Sequence, residues 1–208
     1  MAPQPGSSQT PPNLEYFTVL YNIVLAIAAI FFGSTALSTA LVGFGLGSIA
    51  AALSGLIPIW QNRNPVGLTQ EAMRTKRRAE RVVSAVFFLV GIWLIYASVN
   101  RLVMNEPALP TGAGIAIALL AMFVMPVITW RKRVSGHGSG CGALFAGKKE
   151  AAASALLPAV LLAGLLYNYV SGYWQADAFA GIVIALILFH RGYQTWCISC
   201  GGCECTSG

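Results

Sequence analysis

YFTVLYNIVLAIAAIFFGSTALSTALVGFGLGSIAAALSGLIPIW, residues 16–60, runs for 45 residues without an Asp, Glu, Lys, Arg or His. A helix crosses the hydrocarbon layer of a bilayer in about 20 residues. The stretch is therefore too long for one span and suits two. It shows no sustained two-residue alternation, so it does not read as barrel strand. In lipid every backbone N–H and C=O needs a partner within the protein, which leaves helices. A tight hairpin must divide the run, and Gly33-Ser34-Thr35 is the place the sequence offers.

The same pattern continues outward. Residues 16–37, 38–60, 82–100, 111–130, 151–170 and the shorter 178–189 are six charge-free apolar runs. The sixth becomes long enough if Trp174 lies in one interface while Arg191 snorkels beside Tyr193 and Trp196 at the other. The chain has 208 residues, of which 56% are hydrophobic and 10% charged. Soluble domains carry about 25% charged residues. The fold class is thus an all-α integral membrane protein with six transmembrane helices.

Charge placement sets the expected orientation. Arg63, Arg74, Lys76, Arg77, Arg78 and Arg81 flank the second and third spans, Arg131, Lys132, Arg133, Lys148 and Lys149 lie between the fourth and fifth, and Arg191 follows the sixth. Arg101 alone falls on the other side, so twelve of the 13 basic residues share one face. The positive-inside rule makes that face cytoplasmic, with both termini inside a plasma (inner) membrane. The net charge of +6 is then a matter of topology and anionic lipid rather than nucleic acid. Residues 1–15 hold no Lys or Arg, so no signal peptide is expected.

Three segments follow: a Pro/Gln/Ser-rich, disordered N-terminus (1–15), a six-helix domain (16–196) and a Cys-rich cytoplasmic tail (197–208). Glycine density in GHGSGCGALFAGKK argues against a helix before Lys148. Gly43, Gly45, Gly47, Ala51 and Gly55 recur along the second span, where small residues let helices approach closely. Pro126 and Pro158 are expected to kink their helices, a feature that often lines cavities.

Chemistry-bearing residues are few. Cys197, Cys200, Cys203 and Cys205 place four thiols within nine residues, with Gly201-Gly202 to let the chain fold back. Four thiolates satisfy zinc, and three can hold a softer ion such as copper(I). A reducing cytoplasm disfavours disulfides there, although palmitoylation or redox modification near the membrane also fits. His137 and Cys141 form a second pair on the same face, and His190 could join the tail. The chain contains no GxSxG elbow, HExxH or phosphate loop, so no enzyme and no tightly bound cofactor are expected.

ALVGFGLGSIAAALSG (40–55), preceded by Glu15, Tyr16, Asn22 and Gly33-Ser34, resembles the first helical hairpin of the cation diffusion facilitator (cation efflux) family. The likeness is to small members that consist of the membrane domain only. RRAERVVSAVFFLVGIWLIY (77–96) looks like their third helix. GYWQADAFAGIVIALILFHRG (172–192) looks like their last, with Asp177 as its outer-edge acid. The resemblance implies a six-helix bundle exporting divalent metal such as zinc in exchange for protons. It also implies acidic or histidine ligands four residues apart on the second and fifth helices, where i and i+4 share a face.

This chain departs from that pattern. The second-helix positions are Gly47 and Ala51, the fifth-helix pair falls on Gly147 and Ala151, and a first-helix acid position falls on Ala26. A slipped register would place Glu150 and Ser154 at the fifth-helix pair, though a glutamate beside Lys148 and Lys149 also suits a helix start. A conducting path would need unusual ligands: Asn22, Ser48, Glu150, Ser154, Asn168 and backbone carbonyls near Gly47. Two functions are therefore expected. One is a Zn-type efflux transporter supplied by the Cys tail. The other is a transport-inactive relative, a membrane metal-binding protein partnered with itself as a homodimer or with a related transporter.

Overall fold

The structure is a computed structural model that describes the backbone of residues 12–63, 70–109, 111–135 and 141–200. Side chains are described for residues 14–57, 59–60, 74–109, 111–129, 131 and 155–197. Among the described residues six helices follow one another: α1 (Pro12–Thr35), α2 (Thr39–Arg63), α3 (Gln70–Met104), α4 (Gly112–Ser135), α5 (Cys141–Ser171) and α6 (Gln175–Cys200). The described residues contain no strand. Among the described residues five helices are long and apolar enough to cross a membrane, and the described part of α5 contributes the shorter apolar stretch Ala155–Ser171. The sixth expected run proves longer than its charge-free core, because α6 carries on through His190 and Arg191 for 26 residues.

The α1–α2 hairpin falls slightly later than Gly33-Ser34-Thr35. Those residues complete the last turn of α1, and the reversal occurs at Leu37, whose φ of 54° is left-handed. Ser38 N–H donates to Gly33 O at 2.9 Å and Ala36 N–H to Phe32 O at 3.0 Å, so the helix end is closed by its own carbonyls. The Ser34 and Thr35 hydroxyls donate to Phe31 O and Phe32 O, which keeps polar groups satisfied within the last turn. Ser38 then caps α2, its Oγ accepting the Leu41 N–H at 3.1 Å. Gly33 is required here for space. A Cβ on it would lie 2.8 Å from Val42 Cγ2 and 2.9 Å from Val42 N.

The expectation of no helix before Lys148 is corrected, since α5 begins at Cys141. Gly142 and Gly147 bracket Ala143, Leu144, Phe145 and Ala146. Each glycine costs only about 1 kcal/mol in a helix, and extending an existing helix avoids a new nucleus.

Helix pairing follows the small residues. Gly91 of α3 faces the Phe189 ring of α6, Gly164 of α5 faces Ala180 of α6, and Gly114 of α4 meets Leu41 and Leu165. Ser84 Oγ donates to Gly192 O at 2.6 Å, tying α3 to α6. A core of Leu41, Phe44, Leu94, Leu161, Ile184 and Leu188 fills the centre. Outside, large apolar side chains such as Leu20, Ile27, Leu89, Tyr96, Phe123 and Val170 are exposed. An apolar exterior around a small-residue interior is what a lipid solvent selects. The helices alternate in direction, so the start of α1 and the end of α6 lie at one end of the bundle.

Candidate functional site

At that end a cavity of about 350 Å³ opens between all six helices. Its lining combines Glu15, Thr18 and Asn22 of α1 with Gly47, Ser48, Ala51, Ser54 and Gly55 of α2, Phe87 of α3, Met125 of α4, Leu157 of α5 and Arg191 of α6. The three α1 residues are spaced three and four apart, one face of a helix. Met125 and Leu157 each immediately precede the proline inside their helix, Pro126 and Pro158. A proline withholds an N–H from the turn before it and opens space there. Gly47 packs closely against α6: a Cβ there would meet Leu188 at 3.1 Å.

The polar groups in the cavity differ in how they are satisfied. Thr18 Oγ donates to Leu14 O at 2.7 Å, Ser48 Oγ to Phe44 O at 3.0 Å and Ser54 Oγ to Ala51 O at 2.7 Å. Asn22 is 4% exposed, and its Nδ2 donates to Thr18 O at 2.8 Å. Its Oδ1 is buried without a hydrogen-bond partner. Glu15 is also buried, and Arg191 is half-buried.

Of the residues singled out in sequence, Asp177 lies at the opposite end. Its Oδ1 accepts the Ser38 hydroxyl at 2.5 Å, and its Oδ2 accepts the Thr39 N–H at 2.8 Å, the Thr39 hydroxyl at 3.2 Å and the Ala40 N–H at 3.4 Å. The carboxylate therefore closes the N-terminus of α2 from across the bundle, favoured by the helix dipole. Asn168 also belongs to that end, donating to Ala108 O at 3.3 Å. His190 is exposed and bonded to Gln194 at 2.9 Å.

Cys197 is a buried residue of α6, 8% exposed, and the helix continues through Cys200. The Cys141, Gly147 and Glu150 backbone is helical, but the side chains of Cys141, Glu150, Ala151, Ser154 and Cys200 lie outside the described ones. His137, Cys203 and Cys205 lie outside the described residues altogether. Among the described residues no three His, Cys, Asp or Glu side chains come together as a metal cluster.

Asn22, Ser48 and the Gly47 position are brought together as the sequence suggested, whereas Asn168 is not. Glu15 and Arg191 had not been read as one site. They stand 176 positions apart in the chain (191 minus 15), and only helix packing joins them.

The cation efflux transmembrane domain matches residues 16–197. Transmembrane protein 163 of Xenopus laevis is 21% identical over 182 residues, covering 87% of this chain and 64% of the relative. The chain thus spans somewhat less than two thirds of that relative's length. The domain match reaches all six helices and takes in every described residue of the cavity except Glu15, and the chain belongs to the cation efflux family.

Proposed function

We propose that this protein carries a divalent metal cation out of the cytoplasm, and that the cavity between the six helices is the ion's inward-facing entrance. The observation that carries this reading is the placement of the cavity. It opens at Gly47 and Ala51, where family resemblance locates the transported ion, and its lining includes Glu15, Asn22 and Ser48. The basic loops orient this end towards the cytoplasm of a plasma (inner) membrane. Cys200, Cys203 and Cys205, with Cys197, stand next to the entrance in sequence and would concentrate zinc or a softer ion there.

The absence of a side-chain donor at Gly47 and Ala51 favours a second reading, in which the protein binds metal or a partner without transporting. Reconstitution in liposomes separates the two. Wild-type protein is expected to give flux of zinc, manganese, cobalt or cadmium above empty liposomes. Serine at all four tail cysteines should slow loading at low external metal without abolishing flux. No protein-dependent flux for any of these ions would sink the transport reading.

A further inference from the structure

Among the described residues α3 is the longest helix, 35 residues from Gln70 to Met104. At 1.5 Å per residue it runs for about 52 Å, well beyond the roughly 30 Å of a bilayer's hydrocarbon layer. Residues 70–81 precede the charge-free run that starts at Val82. Packing against α6 sets the membrane boundary on this stretch. Ser84 Oγ bonds Gly192 O, so in antiparallel helices Trp196 stands about level with Glu80. Tyr193 and Trp196 are exposed, and exposed tyrosine and tryptophan gather at the headgroup layer.

Within the stretch, charge is sorted by helix face. Arg74, Arg77, Arg78 and Arg81 stand at i, i+3, i+4 and i+7, one side of a helix, and all four are exposed. Glu80 is turned inward, buried and paired with Lys76 at 3.8 Å. The exposed side thus carries arginine and no acid among the described side chains of residues 74–81. It is also the lipid side. Counting on by turns from Arg78 and Arg81 reaches Ala85, Leu89, Ile92 and Tyr96, all exposed. A phospholipid seated on this face lays its acyl chains along Leu89 and Ile92 and its headgroup among the arginines.

The heights of the arginines select the headgroup. Arg81 and Arg78 stand about 1.5 and 6 Å beyond Val82 along the axis, within the roughly 5–8 Å of one headgroup layer. Arg77 and Arg74 stand about 7.5 and 12 Å beyond it, at the edge of that layer and past it. The glycerol phosphate that every phospholipid carries meets the lower pair. The upper pair calls for anionic groups farther out, and guanidinium forks match phosphate oxygens bidentately.

We propose that this face of α3 is a discrete binding site for a phospholipid whose headgroup carries further phosphates, of the phosphorylated inositol type. Arg78 and Arg81 hold the glycerol phosphate, and Arg74 and Arg77 hold the outer ones. General attraction of basic loops to anionic lipid counts charge and ignores which helix face bears it. This site depends on the face, and it stands whether or not the protein transports metal.

The test is native mass spectrometry of the purified full-length protein in detergent, titrated with phosphatidylinositol bisphosphate or phosphatidylserine. Wild-type protein is expected to hold the bisphosphate lipid at least tenfold more tightly than phosphatidylserine. Glutamine at Arg74, Arg77 and Arg78 together should weaken that binding at least tenfold. Glutamine at Arg131, Lys132 and Arg133 removes the same charge from α4 and should leave binding within twofold. Lysine at Arg74, Arg77 and Arg78 keeps the charge but not the guanidinium fork, and should weaken binding at least threefold. Equal affinity for the two lipids, or equal weakening in both glutamine variants, overturns the site. Unchanged binding in the lysine variant, which guards against a folding defect, overturns the guanidinium–phosphate contact. Displacement of the lipid by an equal concentration of soluble inositol trisphosphate overturns a lipid as the occupant.

Discussion

Asp177 and Asn22 are two buried polar residues treated in opposite ways. Asp177 has both oxygens engaged by Ser38, Thr39 and Ala40, whereas Asn22 keeps Oδ1 unpaired. The first arrangement is structural, because a helix N-terminus in an apolar setting needs acceptors for its free N–H groups. Asp177→Ala would leave the Thr39 and Ala40 N–H groups and two hydroxyls buried with no acceptor from α6. The expected loss is roughly 2 kcal/mol or more, seen as a lower thermal unfolding midpoint in detergent. Asp177→Asn keeps one acceptor oxygen and should recover part of the loss. Melting of Asp177→Ala at the wild-type temperature would contradict this role. Sequence marked Asp177 as an outer-edge acid by family likeness. It could not name the partner, because Ser38 lies 139 positions away.

At the scale of elements, the α1–α2 hairpin shows why glycine abundance is a weak signal and glycine position a strong one. Gly33 has Val42 backbone nitrogen 2.9 Å from a built Cβ, and backbone yields less easily than a side chain. Gly112 has nothing within 4 Å of the same point. Gly33→Ala should therefore destabilise the protein by about 1–3 kcal/mol through overpacking, while Gly112→Ala should stay near wild type. Differential scanning fluorimetry of both variants checks this, and equal unfolding temperatures would show that the hairpin can part without penalty. Hydropathy located the helices because lipid imposes it on each span separately. It placed their ends less well. Leu37 rather than Gly33 makes the left-handed turn, and α6 runs past its charge-free core through Arg191, which lines the cavity.

For the molecule as a whole, orientation and cavity come from different sources. From twelve of 13 basic residues on one face, we propose by the positive-inside rule that both termini are cytoplasmic. A C-terminal green fluorescent protein fusion is expected to fluoresce in bacterial cells, and a C-terminal alkaline phosphatase fusion to be inactive. Strong phosphatase activity would invert the topology and turn the cavity outward. The sequence by itself determined the helical class, the apolar spans and the bare Gly47 and Ala51 positions that the family resemblance singles out. Each of these follows from local hydropathy, local charge or the side chain at one position. Only the tertiary structure decided that the polar residues of α1 share a cavity with those positions. Bringing Asn22 and Ala51 into one cavity, and Arg191 into it with Glu15, depends on how α1, α2 and α6 pack. That packing is set by contacts between side chains far apart in the chain, which no single stretch of sequence encodes.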